Sequence, residues 1–267
     1  MPLLSLFVCA LLLALPGGVG AAERITLRLM ALPDNNERYY TKLLEESLRA
    51  TGYQLHIDYV RNVPQPRIWH MVEHNQLSLM WGVQTRARDA AYASVSNQLT
   101  GGLIGQRILL VRKGQEQAYA KVRNLEDFRR LGKTGGVGIN WLDADVWKLN
   151  GLPVYVKTGD WRQLFPMVAS GERGIDYVVR GASEIVNEIK HYDGLAVEAN
   201  LVLIHDRDMH FYLSPDTVRY RAIIENALAQ ADKSGLKKEL IARFILPDLK
   251  TLNLDQRVKI RLNTPEP

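Results

Sequence analysis

The chain of 267 residues has one cysteine, Cys9, and it sits inside the opening apolar stretch. From residue 10 onward no thiol is available for a disulfide, a thiolate metal site or a cysteine nucleophile, so stability rests on core packing. No Lys, Arg, Asp or Glu precedes Glu23. Beyond the opening stretch, no apolar run approaches the roughly 20 residues that a membrane-spanning helix needs. Internal repeats, low-complexity tracts and a Gly-x-Ser-x-Gly elbow are also missing. Gly132-Lys133-Thr134 has the end of a phosphate loop, but Asp127 stands where the loop's first glycine belongs, so it reads as a turn.

The opening itself is informative. An apolar run from Leu3 to Leu15 is broken by Pro16-Gly17-Gly18 and followed by small residues, Val19-Gly20-Ala21 or Gly20-Ala21-Ala22. That pattern predicts a cleavable secretory signal over residues 1–22 and a periplasmic destination. Phe7 and Val8 are poor neighbours for a lipidated Cys9. The net charge of +5 belongs to the remaining residues, roughly 245 of them, and favours anionic partners, either small ligands or a membrane surface. Lys and Arg are scattered rather than clustered, so no nucleic-acid partner is expected.

Periodicity then alternates between strand and helix. Ile25–Met30 alternates, 37–51 is helical in period, Tyr53–Val60 alternates again, and a helix near 68–75 leads to the strand Leu77–Val83. After a charged break at Arg112–Glu116 the pattern restarts, with strands at 137–139, 154–156 and 175–179 separated by helices. Strand-like runs at 201–204 and 210–213 precede two closing helices, 216–233 and 236–245. This order predicts an α/β protein of two lobes, 23–112 plus 200–267 and 113–199, with the chain crossing twice.

The segment Trp81–Lys113 reads as an apolar strand, the turn Thr85-Arg86-Ala87-Arg88, a polar loop and a second strand. Thr85 can cap the turn with its hydroxyl, which leaves the Arg88 guanidinium for an anion, or for solvent if the turn is only a surface feature. That corner, the two α/β units and the closing Ser234-Gly235 break between helices resemble the type II periplasmic solute-binding proteins, the extracellular solute-binding family that includes amino-acid binders. The resemblance implies a periplasmic-binding-protein-like II fold, each lobe a mixed sheet flanked by helices, joined by a two-strand hinge. Cleft closure on a small-molecule ligand, a monomeric state and delivery to an inner-membrane ABC permease are implied with it. A sensor protein as the membrane partner is the alternative role.

The chain departs from the amino-acid binders at two places. No Gly-Thr pair follows the strand that leads into Ile139-Asn140-Trp141-Leu142-Asp143, and Arg180-Gly181 stands where those binders place an ammonium-binding Asp. Trp141-Leu142-Asp143, Leu164-Phe165-Pro166-Met167 and Asp176-Tyr177-Val178-Val179-Arg180-Gly181-Ala182-Ser183-Glu184 instead resemble a diverged proteobacterial branch. Expected ligand contacts are therefore Arg88 and Arg180 as a clamp on an anion, Trp81 and Trp141 as walls, and Asp143 and Glu184 as acceptors. Asp143 and Glu184 could equally pair with Arg180, the latter at i, i+4. Asn35, Arg38 and Tyr39 follow the first strand and border the same cleft, Tyr39 alternatively packing as core.

Catalytic readings are weaker. His70-Met71-Val72-Glu73-His74 matches an inverted zinc-protease pattern, but it falls on an ordinary amphipathic helix. His205-Asp206-Arg207-Asp208 reads as a polar loop at the second crossing. The family includes periplasmic dehydratases with a cleft carboxylic acid, which Glu184 or Asp143 could imitate. The expectation is a non-enzyme without cofactor or metal.

Overall fold

The computed structural model describes residues 23–31, 37–63, 67–171 and 173–266. The predicted signal segment and Asn35 lie outside them. Strand β1 (Glu23–Met30) alternates as the sequence predicts: Ile25, Leu27 and Leu29 are buried, and the residues between them face outward. Helix α1 (Arg38–Ala50) lays Tyr40, Leu43, Leu44 and Leu48 into the core, and β2 (Tyr53–Val60) runs parallel to β1. Then come α2 (Ile68–Glu73), β3 (Leu79–Val83), α3 (Arg86–Ala91), β4 (Ala93–Ser94) and β5 (Gln106–Arg112). The middle of the chain forms α4 (Leu125–Arg130), β6 (Gly135–Gly138), α5 (Leu142–Leu149), β7 (Val154–Lys157), α6 (Leu164–Ser170), β8 (Tyr177–Gly181) and α7 (Ala182–Ile189). The last part contributes β9 (Leu195–Val197), β10 (Leu201–Ile204), β11 (Met209–Leu213), α8 (Arg221–Ser234), α9 (Leu236–Phe244), α10 (Leu246–Leu249) and β12 (Val258–Arg261).

These strands make two layers. In the first lobe β1 pairs with β2, and β11 lies antiparallel between β3 and β4. The Ser78 N–H to Arg28 C=O bond of 2.8 Å joins the two groups edge to edge. The second lobe is one mixed sheet in the order β12-β10-β5-β8-β6-β7, with β9 also on β5. Helices α1, α8 and α9 pack together over the first layer, burying Ile224, Leu228 and Leu240.

Three strands lie elsewhere than the boundaries 112/113 and 199/200 predict. β5, β10 and β12 all hydrogen-bond within the second sheet, β5 through the register Arg107↔Gly181 to Val111↔Tyr177. Ile108 to Val111 are all fully buried, as a strand covered on both faces requires. The charged stretch 112–116 is thus a turn at the far end of the second lobe. The chain makes its two main crossings between the lobes at 95–105 and 205–208, and a third passage leads from α9 of the first lobe to β12 of the second. β4, β9, β12 and α3 are short and have no periodic signal of their own.

Both crossings are tied to each other. Asp208, buried, accepts from the Thr100 N–H at 3.0 Å, the Thr100 hydroxyl and the Gly102 N–H at 2.7 Å, so one carboxylate caps the incoming loop from the returning one. The His205 N–H donates to Gly105 C=O at 3.1 Å, and a Cβ on residue 105 would stand 2.4 Å from the His205 carbonyl. Only glycine permits that approach. Asp208→Ala should therefore lower stability by about 3 kcal/mol in urea titration, since buried donors lose a charged acceptor. Gly105→Ala should cost about 1–3 kcal/mol.

Candidate functional site

Between the lobes lies a cleft of about 610 Å³, within the range of small-molecule sites. Four of the chain's five tryptophans line it: Trp69 and Trp81 from the first lobe, Trp141 and Trp161 from the second. The first-lobe wall is built on the end of β3. Trp81 stacks on Tyr40, centroids 4.9 Å apart and planes within 18°, and Tyr39 meets Tyr40 edge-on at 5.2 Å. The Tyr39 hydroxyl donates to Leu99 C=O in the first crossing, and burial raises its pKa. Tyr39 is thus an anchor for that crossing while its ring edge borders the cleft.

Thr85 caps α3 as predicted, its hydroxyl accepting from the Arg88 N–H at 3.2 Å. The turn sends the Arg88 side chain inward, half-buried, over the Trp69 ring at 5.0 Å. Its guanidinium donates to Val83 C=O and, across the seam between the lobes, to Asn140 C=O at 2.8 Å. No carboxylate among the described residues forms an ion pair with Arg88, and burial lowers its pKa. Asp89, next along the helix, favours the Arg88 charge without forming an ion pair.

On the opposite wall, β6 ends at Gly138 and the chain turns through Asn140 in the left-handed region (φ 65°). A Cβ at residue 138 would lie 2.7 Å from the Trp141 ring, so glycine lets Trp141 fold back over the strand end. Arg180, near the end of β8, is 5% exposed. Its Nε and Nη2 donate to the two oxygens of Glu188 at 2.6 and 2.5 Å, and Nη2 lies 3.2 Å from Glu184. Trp141 and Trp161, adjacent rings 5.1 Å apart, both lie against the guanidinium, their centroids 4.7 and 4.4 Å from its carbon. Burial alone would lower its pKa, but Glu184 and Glu188 together raise it.

Beneath Trp141, Asp143 pairs with Arg107 at 2.7 Å, both almost fully buried. Asp143 Oδ1, Arg107 Nε and His205 Nε2 are buried without hydrogen-bond partners among the described residues. His205 lies near the pair at the second crossing, and burial pushes its pKa down to about 4.

Apart from Asn35, which lies outside the described residues, the predicted residues border this cleft, but several do not have the predicted partners. The expected two-arginine clamp does not form. Arg180 turns its hydrogen-bonding edge to Glu188 near the end of α7, whereas Arg88 forms no ion pair. Asp143 pairs with Arg107 instead of Arg180. Glu184 takes its structural alternative: it pairs with Arg180 and accepts from the Gly181 N–H at 3.2 Å. Trp69, Tyr40, Asn140, Trp161 and Glu188 are cleft residues that sequence reasoning missed. Glu188 sits at i+4 from Glu184, the signal that could have found it.

His70, Glu73 and His74 converge on the outer face of α2, with ligand atoms within 4.8 Å of one another. All three are exposed, and Trp69 on the same helix turns into the cleft. The three donors could hold a divalent ion, outside the cleft. The His205-Asp206-Arg207-Asp208 segment is the hinge loop described above.

This fold is that of the two-lobed periplasmic binding proteins. No family model and no curated protein matches the sequence. Among solved structures, an ancestral arginine-binding protein bound to arginine superposes with a TM-score of 0.57 at 16% identity, over 82% of this chain and 97% of that one. An amino-acid ABC-transporter substrate-binding protein from Streptococcus pneumoniae, bound to L-arginine, gives 0.57 at 14% over 84% and 96%. A Salmonella typhimurium periplasmic binding protein described for high arginine specificity gives 0.56 at 11% over 82% and 99%. At these identities the likeness is one of fold. Among the described residues, no helix is long and apolar enough to cross a membrane.

The buried His205 has a pH signature. Its folded pKa is depressed, so its contribution is complete above about pH 6.5 and is lost as pH falls towards about 4. At about 1.4 kcal/mol per unit, some 3 kcal/mol should disappear over that window. His205→Gln should flatten this slope in urea unfolding measured across the same pH range.

Proposed function

We propose that this chain is an exported solute receptor that closes its two lobes over a small polar solute carrying an anionic group, and presents it to a membrane transporter of the ABC type. One observation carries the reading. Arg88 stands on the seam between the lobes without forming an ion pair, its donors turned to backbone carbonyls of both lobes. A carboxylate or similar anion would exchange these neutral acceptors for a charge-assisted, two-pronged pair. The tryptophan faces around the seam would cover the apolar part of such a solute. Neighbours of the same fold that are transporter substrate-binding proteins support the transport role. The arginine ligand of those neighbours is not carried over, because the second-lobe wall already holds a cation of its own.

The mechanism is closure about the two crossings, without bond chemistry. Each cleft carboxylate has an arginine partner, which supports a binding role over a dehydratase-like one.

A thermal-shift screen of purified protein against amino acids, organic acids, sugar acids and phosphate esters tests this. A ligand at 100 times its Kd should stabilise the fold by about 2.7 kcal/mol. Arg88→Ala should weaken the hit by about 2–3 kcal/mol, or 30-fold to 150-fold in Kd, by titration calorimetry. If Arg88→Ala leaves the affinity unchanged, the assignment of the anion to this residue is wrong.

A further inference from the structure

Helix α2 turns one side to the cleft and the other to solvent. Trp69 borders the cleft, and Ile68 and Val72 are buried together with Met30 and Leu77. His70, Glu73 and His74 stand on the outer face at i, i+3 and i+4, positions that one turn brings side by side. Each offers one ligand atom, and these atoms all lie within 4.8 Å of one another. The two imidazole centroids are 3.9 Å apart.

Two further features suit a metal ion. His74 Nδ1 lies 2.8 Å from the His70 carbonyl. A carbonyl only accepts, so Nδ1 carries the proton and the ring's lone pair is on Nε2. Ligating histidines are commonly held in this way, the second ring N–H fixed on a backbone carbonyl. Glu73 is the other feature: among the described residues no lysine or arginine forms an ion pair with it, so its carboxylate needs no partner displaced.

We propose that His70, Glu73 and His74 form a binding site for a late first-row divalent ion such as Zn²⁺, on the outer face of the cleft wall. Two imidazoles and a carboxylate are a donor set for zinc, whereas Mg²⁺ and Ca²⁺ take oxygen ligands. On a tetrahedral ion with bonds of about 2.0–2.1 Å, neighbouring ligand atoms stand about 3.3 Å apart. All three side chains are exposed, so rotation about their own torsions closes that gap without moving the backbone. Water completes the coordination. Bound across i and i+4, the ion staples the last turn of the helix that carries Trp69, over which Arg88 lies at 5.0 Å. The proposal is independent of any solute in the cleft.

Calorimetric titration of untagged protein with zinc chloride should show one saturable site of micromolar Kd. Zn²⁺ should raise the melting temperature over the same concentrations, and Mg²⁺ and Ca²⁺ should do neither. His70→Ala and His74→Ala should each weaken binding about a hundredfold, the upper end of what loss of an outer-shell partner costs. Glu73→Gln should weaken it about tenfold. His56→Ala and His191→Ala, which remove exposed imidazoles elsewhere, should leave the affinity unchanged. On unaltered protein, Zn²⁺ should protect His70 and His74 from diethyl pyrocarbonate and leave His56 and His191 reactive, read by peptide mass.

A zinc site that survives His70→Ala combined with His74→Ala would overturn the proposal. Uptake only at millimolar Zn²⁺, which marks an adventitious ion only, would do the same. Equal binding of Ca²⁺, or no protection of the two histidines, also sinks it.

Discussion

Arg180 is a guanidinium in the wall of an apolar cleft, and the second lobe is arranged around keeping it there. Taking a charged group out of water is costly unless it is paired and hydrogen-bonded. Glu188 supplies a two-pronged pair, Glu184 a second carboxylate, and the neighbouring rings of Trp141 and Trp161 pack against the guanidinium. The four partners come from three stretches: the first and last turns of α7, the turn after β6, and the 3-10 turn 161–163 before α6. The pairing therefore fixes how α7 lies against β8 and where both tryptophans stand.

A second buried charge does comparable work at the crossings. Asp208 binds the incoming loop from the returning one, and Gly105 lets the two backbones touch. Just behind, the Arg107–Asp143 pair links β5 to α5, so the first crossing continues directly into the floor under Trp141. His205 lies near that pair and is kept neutral by burial. The hinge and the cleft wall are thus one packed unit. A change of lobe angle has to be absorbed within residues 95–105, 205–208 and the passage from α9 to β12, since the strands beyond them are held by the sheet.

Elements with strong local signals were legible. The alternation of Ile25, Leu27 and Leu29 and the helical spacing of Leu43, Leu44 and Leu48 required no knowledge of the rest of the chain. The same was true of the Thr85 cap, because a hydroxyl three residues ahead of an N–H meets it within one turn. β4, β9 and β12 were not legible. They span two to four residues and exist because a neighbouring strand offers an unpaired edge. Arg112–Glu116 misled for a related reason: a charged break ends a strand but does not say which sheet that strand belongs to.

In the site, residue types were readable and partnerships were not. Arg88, Arg180, Trp81, Trp141, Asp143 and Glu184 all border one cleft, as their placement after predicted strands implied. Which carboxylate meets which arginine depended on distances between residues far apart in the chain. Asp143 and Arg107 are 36 positions apart, and their pairing follows from β5 joining the second sheet. Local order along the chain sets strand, helix and cap, because those depend on neighbours within a few residues. The charge balance of the cleft arises only when β5, β6 and β8 are laid side by side, because buried charges select their partners by proximity in space.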